Sequence, residues 1–319
     1  MSLVTIAIPT YNRKDYLRLA VESALAQTHK EIEILISDNA STDGTASYLR
    51  GLHDPRIVII EQPTNLGMVG NFNACLTNAR GEFFLMLSDD DVLKPHAIEE
   101  LAGPMMHGEG SIPAERIGLT WCPCTIIDSV GKPCWVTDGG PAIESPAELI
   151  VALWNGQRGP RFCSVMVRRA DAAGVGGYQG DRYGEICDTG NWAKIGLGYE
   201  YVACVPVPLV QYRSHAGSLS RAAACRDWQQ WGQAMFEDVR QSLIEQGISE
   251  RTIRSTRLNL LANLTMTVLM PSIGQPGWAM QMCKEVARVW PCFCTPHVAR
   301  RLLKETWKLV RFWRSGQRT

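Results

Sequence analysis

The sequence predicts an α/β fold in which a mostly parallel sheet is flanked by helices and followed by a helical region. Over the first hundred residues, short runs of β-branched residues alternate with helical patterns, which is typical of a parallel sheet with helices on its faces. The last hundred residues carry few strand signals. With 319 residues, 45% of them apolar, the chain is long enough to bury a large core and to form two domains.

Four strands and the helices between them are expected in the first hundred residues. The strands are Val4–Ile8, Ile32–Ser37, Ile57–Glu61 and Glu82–Leu87. Leu17, Val21 and Leu25 recur every four residues and predict a helix with one buried face between the first two strands. Three more helices are expected, beginning near Thr42, covering Val69–Ala79, and beginning at Pro95 and running through Ile98 and Leu101.

Beyond residue 116 the pattern becomes mixed and then helical. Strands are expected over Ile117–Ile127, near Phe162–Val167 and over Tyr201–Tyr212, with a turn at Asp128–Lys132. Residues 222–319 resemble helices interrupted at Pro271–Gly277. We therefore expect an α/β domain over residues 1–221 and a helical region over residues 222–319.

Charge and cysteine content narrow the function classes. The 32 basic residues balance the 32 acidic ones, whereas a nucleic-acid-binding protein usually carries net positive charge, so we expect no nucleic-acid partner. The 11 cysteines are scattered and follow no secretory signal, which favours reduced thiols in the cytoplasm. Cysteines at 122, 124, 134, 292 and 294 could suggest zinc, but their spacing is unlike that of structural zinc sites.

One uncharged stretch, Leu258–Cys283, is long enough to cross a membrane. Pro271, Gly274 and Pro276 interrupt it, and Asn259 would have to enter lipid. We therefore do not expect this stretch to be a transmembrane helix.

The segment after the first strand, Pro9–Arg13, lacks the glycines that a dinucleotide-binding fold places there. No Gly-x-x-x-x-Gly-Lys-Ser/Thr motif occurs in the chain either. The sequence therefore disfavours NAD and FAD enzymes and P-loop nucleotidases.

Acidic residues follow two of the predicted strands. Asp38 stands where an open α/β sheet binds ligands and could accept a hydrogen bond from a base or a ribose, or it could be a turn residue before a helix cap. Asp89, Asp90 and Asp91 follow the fourth strand and repel one another unless a cation neutralises them. Mg²⁺ or Mn²⁺ would suit these oxygens, and an acidic cap on the next helix is the alternative.

Together these motifs resemble the family 2 glycosyltransferases and their GT-A fold, a Rossmann-like sheet flanked by helices. The resemblance rests on the following segments: Ile8-Pro-Thr-Tyr-Asn-Arg13, Gln27-Thr28, Ser37-Asp-Asn-Ala-Ser-Thr-Asp-Gly-Thr45, Asn65-Leu-Gly67 and Ala79-Arg-Gly-Glu-Phe-Phe-Leu-Met-Leu-Ser-Asp-Asp-Asp91. It is dense over residues 3–101 and thin to about residue 221. It implies a nucleotide-binding half over about 1–101 and an acceptor half over about 102–221.

The resemblance assigns roles to the first half. Asp38 would contact the nucleotide base. The other nucleotide contacts would be Pro9, Tyr11, Arg13, Asn65 and Asp89. The family's Asp-x-Asp motif falls on residues 88–90, with Ser88 in place of the first acid, so Asp90 would bind Mn²⁺ or Mg²⁺. Asp91 would lie toward the acceptor.

In the second half, the resemblance makes Asp188 the general base, with Glu185 as the fallback and Cys187 where the family has Glu. From the sequence alone, Asp188 would be an ordinary helix N-cap. His215 would touch the metal or the diphosphate, although a lone His in a Gly/Ser loop is otherwise a solvated surface residue. Further acceptor or phosphate contacts are expected from Trp192, Arg213 and Arg221.

The resemblance implies inverting transfer of one sugar from a nucleotide-diphosphate sugar, with UDP-sugars favoured, to a hydroxyl of a saccharide or lipid-linked acceptor. Such a reaction belongs to cell-surface polysaccharide or glycolipid assembly. The synthase motif Gln-x-x-Arg-Trp is absent, which favours transfer of a single sugar. A catalytically inactive nucleotide-sugar-binding or assembly subunit is the main alternative. A nucleotidyltransferase is disfavoured because the chain lacks that class's Gly-rich loop.

The C-terminal segment suggests two functions. Trp290, Trp307, Phe312 and Trp313 stand among arginines and lysines. This segment either lies on anionic lipid at the inner face of the membrane or packs its aromatic residues on the α/β domain. The oligomeric state stays open.

Overall fold

Residues 2–215 contain twelve strands and eight α-helices in the computed structural model, which describes residues 2–215 and 225–269. The strands are β1 (Val4–Thr10), β2 (Ile32–Asp38), β3 (Ile57–Glu61), β4 (Phe83–Met86), β5 (Val92–Leu93), β6 (Ile117–Trp121), β7 (Cys124–Ile127), β8 (Pro133–Val136), β9 (Ile143–Glu144), β10 (Val165–Arg168), β11 (Tyr201–Cys204) and β12 (Val210–Arg213). The helices are α1 (Lys14–Leu25), α2 (Thr45–Arg50), α3 (Gly67–Asn78), α4 (Ala97–His107), α5 (Pro146–Trp154), α6 (Arg169–Gly174), α7 (Gly180–Tyr183) and α8 (Cys187–Leu197). The predicted α/β class is confirmed.

The described residues form two units, one of residues 2–153 and 158–215 and one of residues 154–157 and 225–269. The first unit is built on an eight-stranded sheet in the order β3-β2-β1-β4-β10-β6-β11-β9 and a four-stranded sheet in the order β5-β12-β7-β8. The second contains α9 (Cys225–Glu245) and α10 (Glu250–Leu269).

The topology of the large sheet brings several loops to one edge. Strands β1 to β4 are parallel, and Asp38 lies opposite both Thr10 and Glu61, so their carboxyl ends are level. Strand β10 is antiparallel to β4, with Met166 opposite Leu85. The start of β10 therefore lies beside the end of β4, on the edge where the loops after β1 to β4 also emerge.

The core explains why the first two strands and helix α1 were readable from the sequence. β1 and β2 are buried along their whole length, as expected for parallel strands covered on both faces. Leu17 and Val21 of α1 are fully buried in the same core cluster as Ile6 and Ile34, and Leu25 packs against it partly buried. The helix predicted from this spacing is confirmed.

Two long predicted strands are wrong, because proline interrupts each of them. The segment Ile117–Ile127 breaks at Pro123 into β6 and β7, and Tyr201–Tyr212 breaks at Pro206 and Pro208 into β11 and β12. Proline has no N–H group to donate to a strand ladder. At each break the chain passes from the large sheet to the small one, where β7 and β12 pair in parallel.

Several predicted boundaries also shift. The third strand is as predicted, whereas β1 and β2 continue to Thr10 and Asp38 and β4 is shorter. Helix α2 begins at Thr45 rather than near Thr42, α3 begins at Gly67, and α4 begins at Ala97, beyond Pro95. Residues Phe162–Ser164 form a 3-10 turn before β10 because the backbone N–H of Ser164 donates to the carbonyl of Arg161. The turn at Asp128–Lys132 is confirmed, with Asp128 Oδ1 accepting from the N–H groups of Val130 and Lys132.

The second unit is an antiparallel pair of helices. Buried residues recur along α9 at Trp228, Met235, Val239 and Leu243, at helical spacing. Within the described ranges, no helix is both long enough and apolar enough to cross a membrane. Arg221 and residues 270–319, including the basic aromatic segment, lie outside the described residues.

A buried glutamine connects α1 to the segment that follows β4. Gln27 is fully buried, its Nε2 donates to the carbonyls of Ser23 and Lys94 at 3.0 and 2.9 Å, and its Oε1 accepts from the N–H of Ile98 at 3.0 Å. The Gln27-Thr28 motif of the family resemblance therefore has a structural role.

We expect Gln27→Ala to lower the free energy of unfolding by about 2–4 kcal/mol, because it leaves buried backbone groups unpaired and a cavity behind. Urea denaturation measures the change. Glu82→Gln, at an exposed position beside the same sheet, is the control and should change stability by less than about 0.5 kcal/mol. A Gln27→Ala protein as stable as that control would contradict this role.

Candidate active site

The loops after β1 and β2 interlock at the carboxyl edge of the sheet. The N–H of Asn12 donates to Ser41 Oγ at 2.9 Å, and the N–H of Thr42 donates to Asn12 Oδ1 at 2.7 Å. Asn12 and Ala40 both adopt left-handed backbone conformations, with φ of 53° and 63°. Asparagine tolerates this region, whereas alanine there costs about 1–2 kcal/mol, so the surrounding contacts hold Ala40 in place.

Asp38 lies at the base of these loops. It is 3% exposed, and its Oδ1 accepts from the N–H of Ser41 at 3.1 Å, so it is a turn residue as well as a candidate ligand contact. Asn39 Nδ2 donates to Asn65 Oδ1 at 2.9 Å, which ties the loop after β3 to the loop after β2. Tyr11 and Leu66 extend from the loops on either side, each 45% exposed.

This arrangement suits a flat ring with a polar edge. Tyr11 follows β1 and Leu66 lies in the loop after β3, the two strands on either side of β2, and β2 ends at Asp38. Pro9, also predicted to contact the nucleotide, is buried within β1 opposite Ser37. Leu66 was not predicted individually, although it lies inside the Asn65–Gly67 motif.

Three carboxyl groups follow β4, and all are buried. Asp89, Asp90 and Asp91 are 6%, 8% and 0% exposed. Arg13 Nη1 donates to Asp90 Oδ2 at 2.8 Å and to Asp89 Oδ1 at 3.3 Å, and Thr10 Oγ1 donates to Asp89 Oδ2 at 2.7 Å. Arg13, predicted to bind the nucleotide, therefore faces this acid cluster, which we define as Asp89, Asp90 and Asp91.

His215 also belongs to this site. Its Nε2 lies 2.9 Å from Asp90 Oδ2, and its side chain is 11% exposed. The alternative of a solvated surface histidine is wrong. The alternative of an acidic helix cap is also wrong for the acid cluster, because α4 begins at Ala97, six residues after Asp91.

The acid cluster carries more negative charge than its neighbours compensate. Burial, together with the charge of Asp90, raises the pKa of Asp89 to about 7 against the opposing effects of Arg13 and Thr10. Burial and the Asp90 charge also raise the pKa of Asp91 well above its usual range. Asp91 Oδ2 is buried and has no hydrogen-bond partner among the described residues. Such a cluster favours a cation.

The donor set fits a divalent ion that is shared with a ligand. In residues 2–215 and 225–269, no group of three or more His, Cys, Asp and Glu side chains could by itself hold a metal. Two adjacent donors are present, the Asp90 carboxylate and the His215 imidazole. Mg²⁺ and Mn²⁺ are commonly bound by one or two protein side chains, with water and phosphate oxygens completing the shell. The residues therefore fit such an ion.

Arg213 supports this site from behind instead of extending toward a phosphate. It is 4% exposed, its N–H donates to Asp91 Oδ1 at 2.7 Å, and its Nε donates to the Asp90 carbonyl at 2.8 Å. Its Nη1 donates to the carbonyls of Asp128 and Ser129 at 3.1 and 3.3 Å. The guanidinium thus joins the acid cluster to the β7–β8 turn.

Tyr16 of α1, which the sequence did not single out, stacks on both basic residues. Its ring lies 5.0 Å from the Arg213 guanidinium and 5.3 Å from the His215 ring. Tyr16 lies three residues after Arg13 at the start of α1. This spacing puts the two side chains on one face of the helix and could have indicated that Tyr16 belongs to the site.

We expect Arg213→Lys to lower the free energy of unfolding by about 2–3 kcal/mol, because an ammonium group cannot replace a fork that reaches three carbonyls. Thermal or urea unfolding measures this loss. The matched control is Arg50→Lys, at an exposed position in the last turn of α2, which should be nearly neutral. Equal stability of the two variants would contradict the supporting role.

Asp188 lies in the first turn of α8, whose N-cap is Ile186, so the expected N-cap assignment is wrong. Its Oδ1 accepts from the N–H of Thr189 at 2.7 Å. The carboxyl keeps some exposed surface, yet burial raises its pKa to about 6, against opposing effects of Thr189 and Arg161. A carboxylate with this pKa is suited to accept a proton near neutral pH.

The neighbours of Asp188 are less polar than the family pattern. Burial and the Asp188 charge raise the pKa of Cys187, so this position carries a neutral thiol instead of an acid. Glu185 lies in the 3-10 turn just before α8, and Trp192 is 8% exposed on its second turn. The sequence missed Arg161, whose charge acts on Asp188.

The fold and site together define the GT-A class. S. aureus TarS 1-349 in complex with UDP-GlcNAc superposes with a TM-score of 0.65 at 14% identity, over 91% of this chain and 81% of that one. The mannosyltransferase PcManGT from Pyrobaculum calidifontis, in complex with GDP-Man and Mn²⁺, gives a TM-score of 0.53 at 17% identity, over 96% and 88% of the two chains. At these identities the likeness establishes the fold.

Residues 5–116 match the family described as Glycosyl transferase family 2. Residues 5–116 therefore form a domain of the family 2 glycosyltransferases. The Escherichia coli UDP-Glc:alpha-D-GlcNAc-diphosphoundecaprenol beta-1,3-glucosyltransferase WfaP is 43% identical over 91 residues, which are 28% of this chain and 36% of that protein. The Pasteurella multocida chondroitin synthase is 38% identical over 99 residues, 30% of this chain and 10% of that protein. The match thus spans about a third or less of these relatives.

Proposed function

We propose that this protein is an inverting glycosyltransferase that moves one sugar from a UDP-sugar to a hydroxyl of a lipid-diphosphate-linked saccharide during cell-surface polysaccharide or glycolipid assembly. The observation that carries the proposal is the contact between Asp90 and His215 at the carboxyl edge of the sheet in a family 2 domain. The acid cluster around this contact holds more negative charge than its basic neighbours neutralise. The UDP-GlcNAc in TarS supports the donor class, and the acceptor named for WfaP supports the acceptor class.

Residues of the first half would hold the donor. Asp38 accepts hydrogen bonds from the base, between the side chains of Tyr11 and Leu66, while Asn65 fixes the adjacent loop. Arg13, which contacts Asp90 in the acid cluster, would also contact the ribose or a phosphate of the donor. This use of the chain assigns about residues 1–101 to the nucleotide and about 102–221 to the acceptor.

Asp90 and His215 would hold Mn²⁺ or Mg²⁺, which when bound stabilises the negative charge on the departing diphosphate. Arg213 and Tyr16 keep these two side chains in position. Asp89 is fixed by Thr10 and lies beside them. Asp91, whose Oδ1 accepts from the N–H of Arg213, would lie on the acceptor side of these two residues.

Asp188 acts as the general base. It takes the proton of the acceptor hydroxyl, whose oxygen forms a bond to the anomeric carbon while the bond from that carbon to the diphosphate breaks. One displacement from the opposite face inverts the anomeric centre, and the proton leaves Asp188 to solvent afterwards. Its pKa of about 6 keeps it ionised at cytoplasmic pH while leaving it basic enough to accept a proton.

The direct test uses purified protein with Mn²⁺, a panel of UDP-sugars and a soluble α-D-GlcNAc-diphosphoryl alkyl acceptor. We expect UDP release and one added sugar by mass spectrometry, with NMR showing the anomeric configuration opposite to that of the donor. The neutral Cys187 and the Ser88 substitution favour a second candidate, an inactive nucleotide-sugar-binding subunit. Binding of UDP without consumption of any UDP-sugar would establish that alternative and reject the first.

A further inference from the structure

A half-buried arginine, Arg161, lies close enough to Asp188 for its charge to act on that carboxyl. Arg161 precedes β10, whose first residues lie beside the end of β4 because the two strands are antiparallel. Its guanidinium stacks over the ring of Tyr212 at 5.7 Å, and Tyr212 adjoins Arg213 in β12. The charge of Arg161 acts on both Asp188 and Tyr212.

The position of Arg161 is fixed by its backbone. Its N–H donates to Ser164 Oγ at 2.8 Å, and its carbonyl accepts from the N–H of Ser164 at 2.8 Å. These reciprocal bonds hold the 3-10 turn before β10. The guanidinium is thus presented by a rigid turn and a stacked aromatic ring, which limits the entropy lost when it binds a ligand.

Among the residues that the structure describes, no acidic side chain pairs with this charge. The guanidinium donates through Nη1 to the carbonyl of Pro160 at 3.3 Å, and no carboxylate in residues 2–215 or 225–269 forms an ion pair with it. Its neighbour Arg158 pairs with Glu144 at 3.1 Å, and Arg168 donates to the carbonyls of Ile117 and Ala114. A rigid, half-buried guanidinium with unused donors is suited to a bidentate contact with a phosphate or carboxylate.

The groups around Arg161 indicate which substrate carries the phosphate that it would bind. The donor diphosphate is assigned to Asp90 and His215, whereas the charge of Arg161 acts on Asp188 and its guanidinium stacks on Tyr212. Asp188 marks the place of the reacting acceptor hydroxyl. In an acceptor sugar that carries the diphosphate on its anomeric carbon, the phosphate and the reacting hydroxyl are attached to the same ring. The phosphate therefore lies close to the hydroxyl that faces Asp188. We propose that Arg161 binds the acceptor's phosphate, an inference that rests on the proposed function for the class of acceptor.

The test compares Arg161→Gln, Arg161→Lys and the control Arg18→Gln, which removes a charge from an exposed position on α1. With the α-D-GlcNAc-diphosphoryl alkyl acceptor, Arg161→Gln should raise the acceptor KM about 10- to 100-fold, and Arg161→Lys should restore part of the loss. The KM for the UDP-sugar should stay unchanged in all three. With a neutral GlcNAc alkyl glycoside, Arg161→Gln should leave the acceptor KM at its wild-type value.

Binding measured without turnover separates this proposal from the proposed function. Isothermal titration of the diphosphoryl acceptor into protein loaded with UDP and Mn²⁺ should show the same 10- to 100-fold weakening for Arg161→Gln. Wild-type binding and weakened variant binding without any transfer would support Arg161 and reject the transferase. Three results would overturn the Arg161 proposal. They are an increase in the UDP-sugar KM of Arg161→Gln, an equal increase in its KM for the neutral glycoside, and no binding of the diphosphoryl acceptor by the wild type.

Discussion

Asp188→Asn is expected to lower kcat by about 10²- to 10⁴-fold, the usual contribution of a positioned general base. The amide has nearly the shape of the carboxyl and can still accept from the N–H of Thr189, so the start of α8 should keep its structure. UDP affinity should change less than about twofold, because the substitution removes proton transfer and leaves donor binding intact. Steady-state kinetics and UDP titration measure the two effects.

The pH profile gives the same assignment a second readout. Asp188 must be ionised to accept a proton, so wild-type kcat should rise with pH through about 6 and level off above it. The charged and titratable groups that act on this carboxyl, or that it acts on, are Arg161, Tyr178 and Cys187. Of these, Arg161 opposes the rise in the Asp188 pKa, so Arg161→Gln should move the midpoint to higher pH.

Asp181→Asn provides the control, at an exposed carboxyl on the neighbouring short helix α7. It should retain wild-type kcat and the same pH midpoint. An Asp188→Asn enzyme with more than a tenth of wild-type turnover would show that another group is the base, and Glu185 would then be tested in the same way.

Asp90→Asn is expected to lower transfer by at least about 100-fold and to abolish stabilisation by Mn²⁺ in the presence of UDP. Asp90 is the residue that contacts both Arg13 and His215, at 2.8 and 2.9 Å. An amide loses the charge that both contacts use and is a weaker ligand for a hard cation. Thermal shift with UDP, recorded with and without Mn²⁺, measures this independently of turnover.

Removal of the ion should reproduce the effect in the wild type. EDTA should stop transfer, and added Mn²⁺ or Mg²⁺ should restore it. Asp54→Asn is the matched control, because Asp54 pairs with Arg56 in the turn before β3, and it should keep the metal response. An Asp90→Asn protein that still gains thermal stability from Mn²⁺ with UDP would contradict the assignment of Asp90 as the metal ligand.

The sequence predicted the fold of the first hundred residues well because its signals there are local. Parallel strands that are buried on both faces read as continuous apolar runs, and the spacing of Leu17 and Val21 matches one turn of a helix. The later strands were harder to predict. Apolar residues continue through Pro123 and Pro206, so hydropathy alone joined segments that belong to two different sheets.

The candidate site was predictable where its residues lie in contiguous motifs and not where the fold brings distant segments together. Asp38 and Asp90 follow strands and could be located from the sequence. The guanidinium of Arg213 bonds to backbone groups 84 to 123 positions away, which no local pattern indicates. Arg161 likewise reaches the site through the antiparallel pairing of β10 with β4.

The hydrogen bonds of Arg213 to Ser129 and Asp128 have a consequence for how the sequence of this fold can vary. They recognise main-chain carbonyls, so they constrain the path of the β7–β8 turn while leaving side-chain identity free at Ser129 and at Val130, which is 85% exposed. Random libraries at these two positions should therefore yield mostly folded proteins. The sequence of this turn can therefore vary without loosening the acid cluster to which Arg213 joins it.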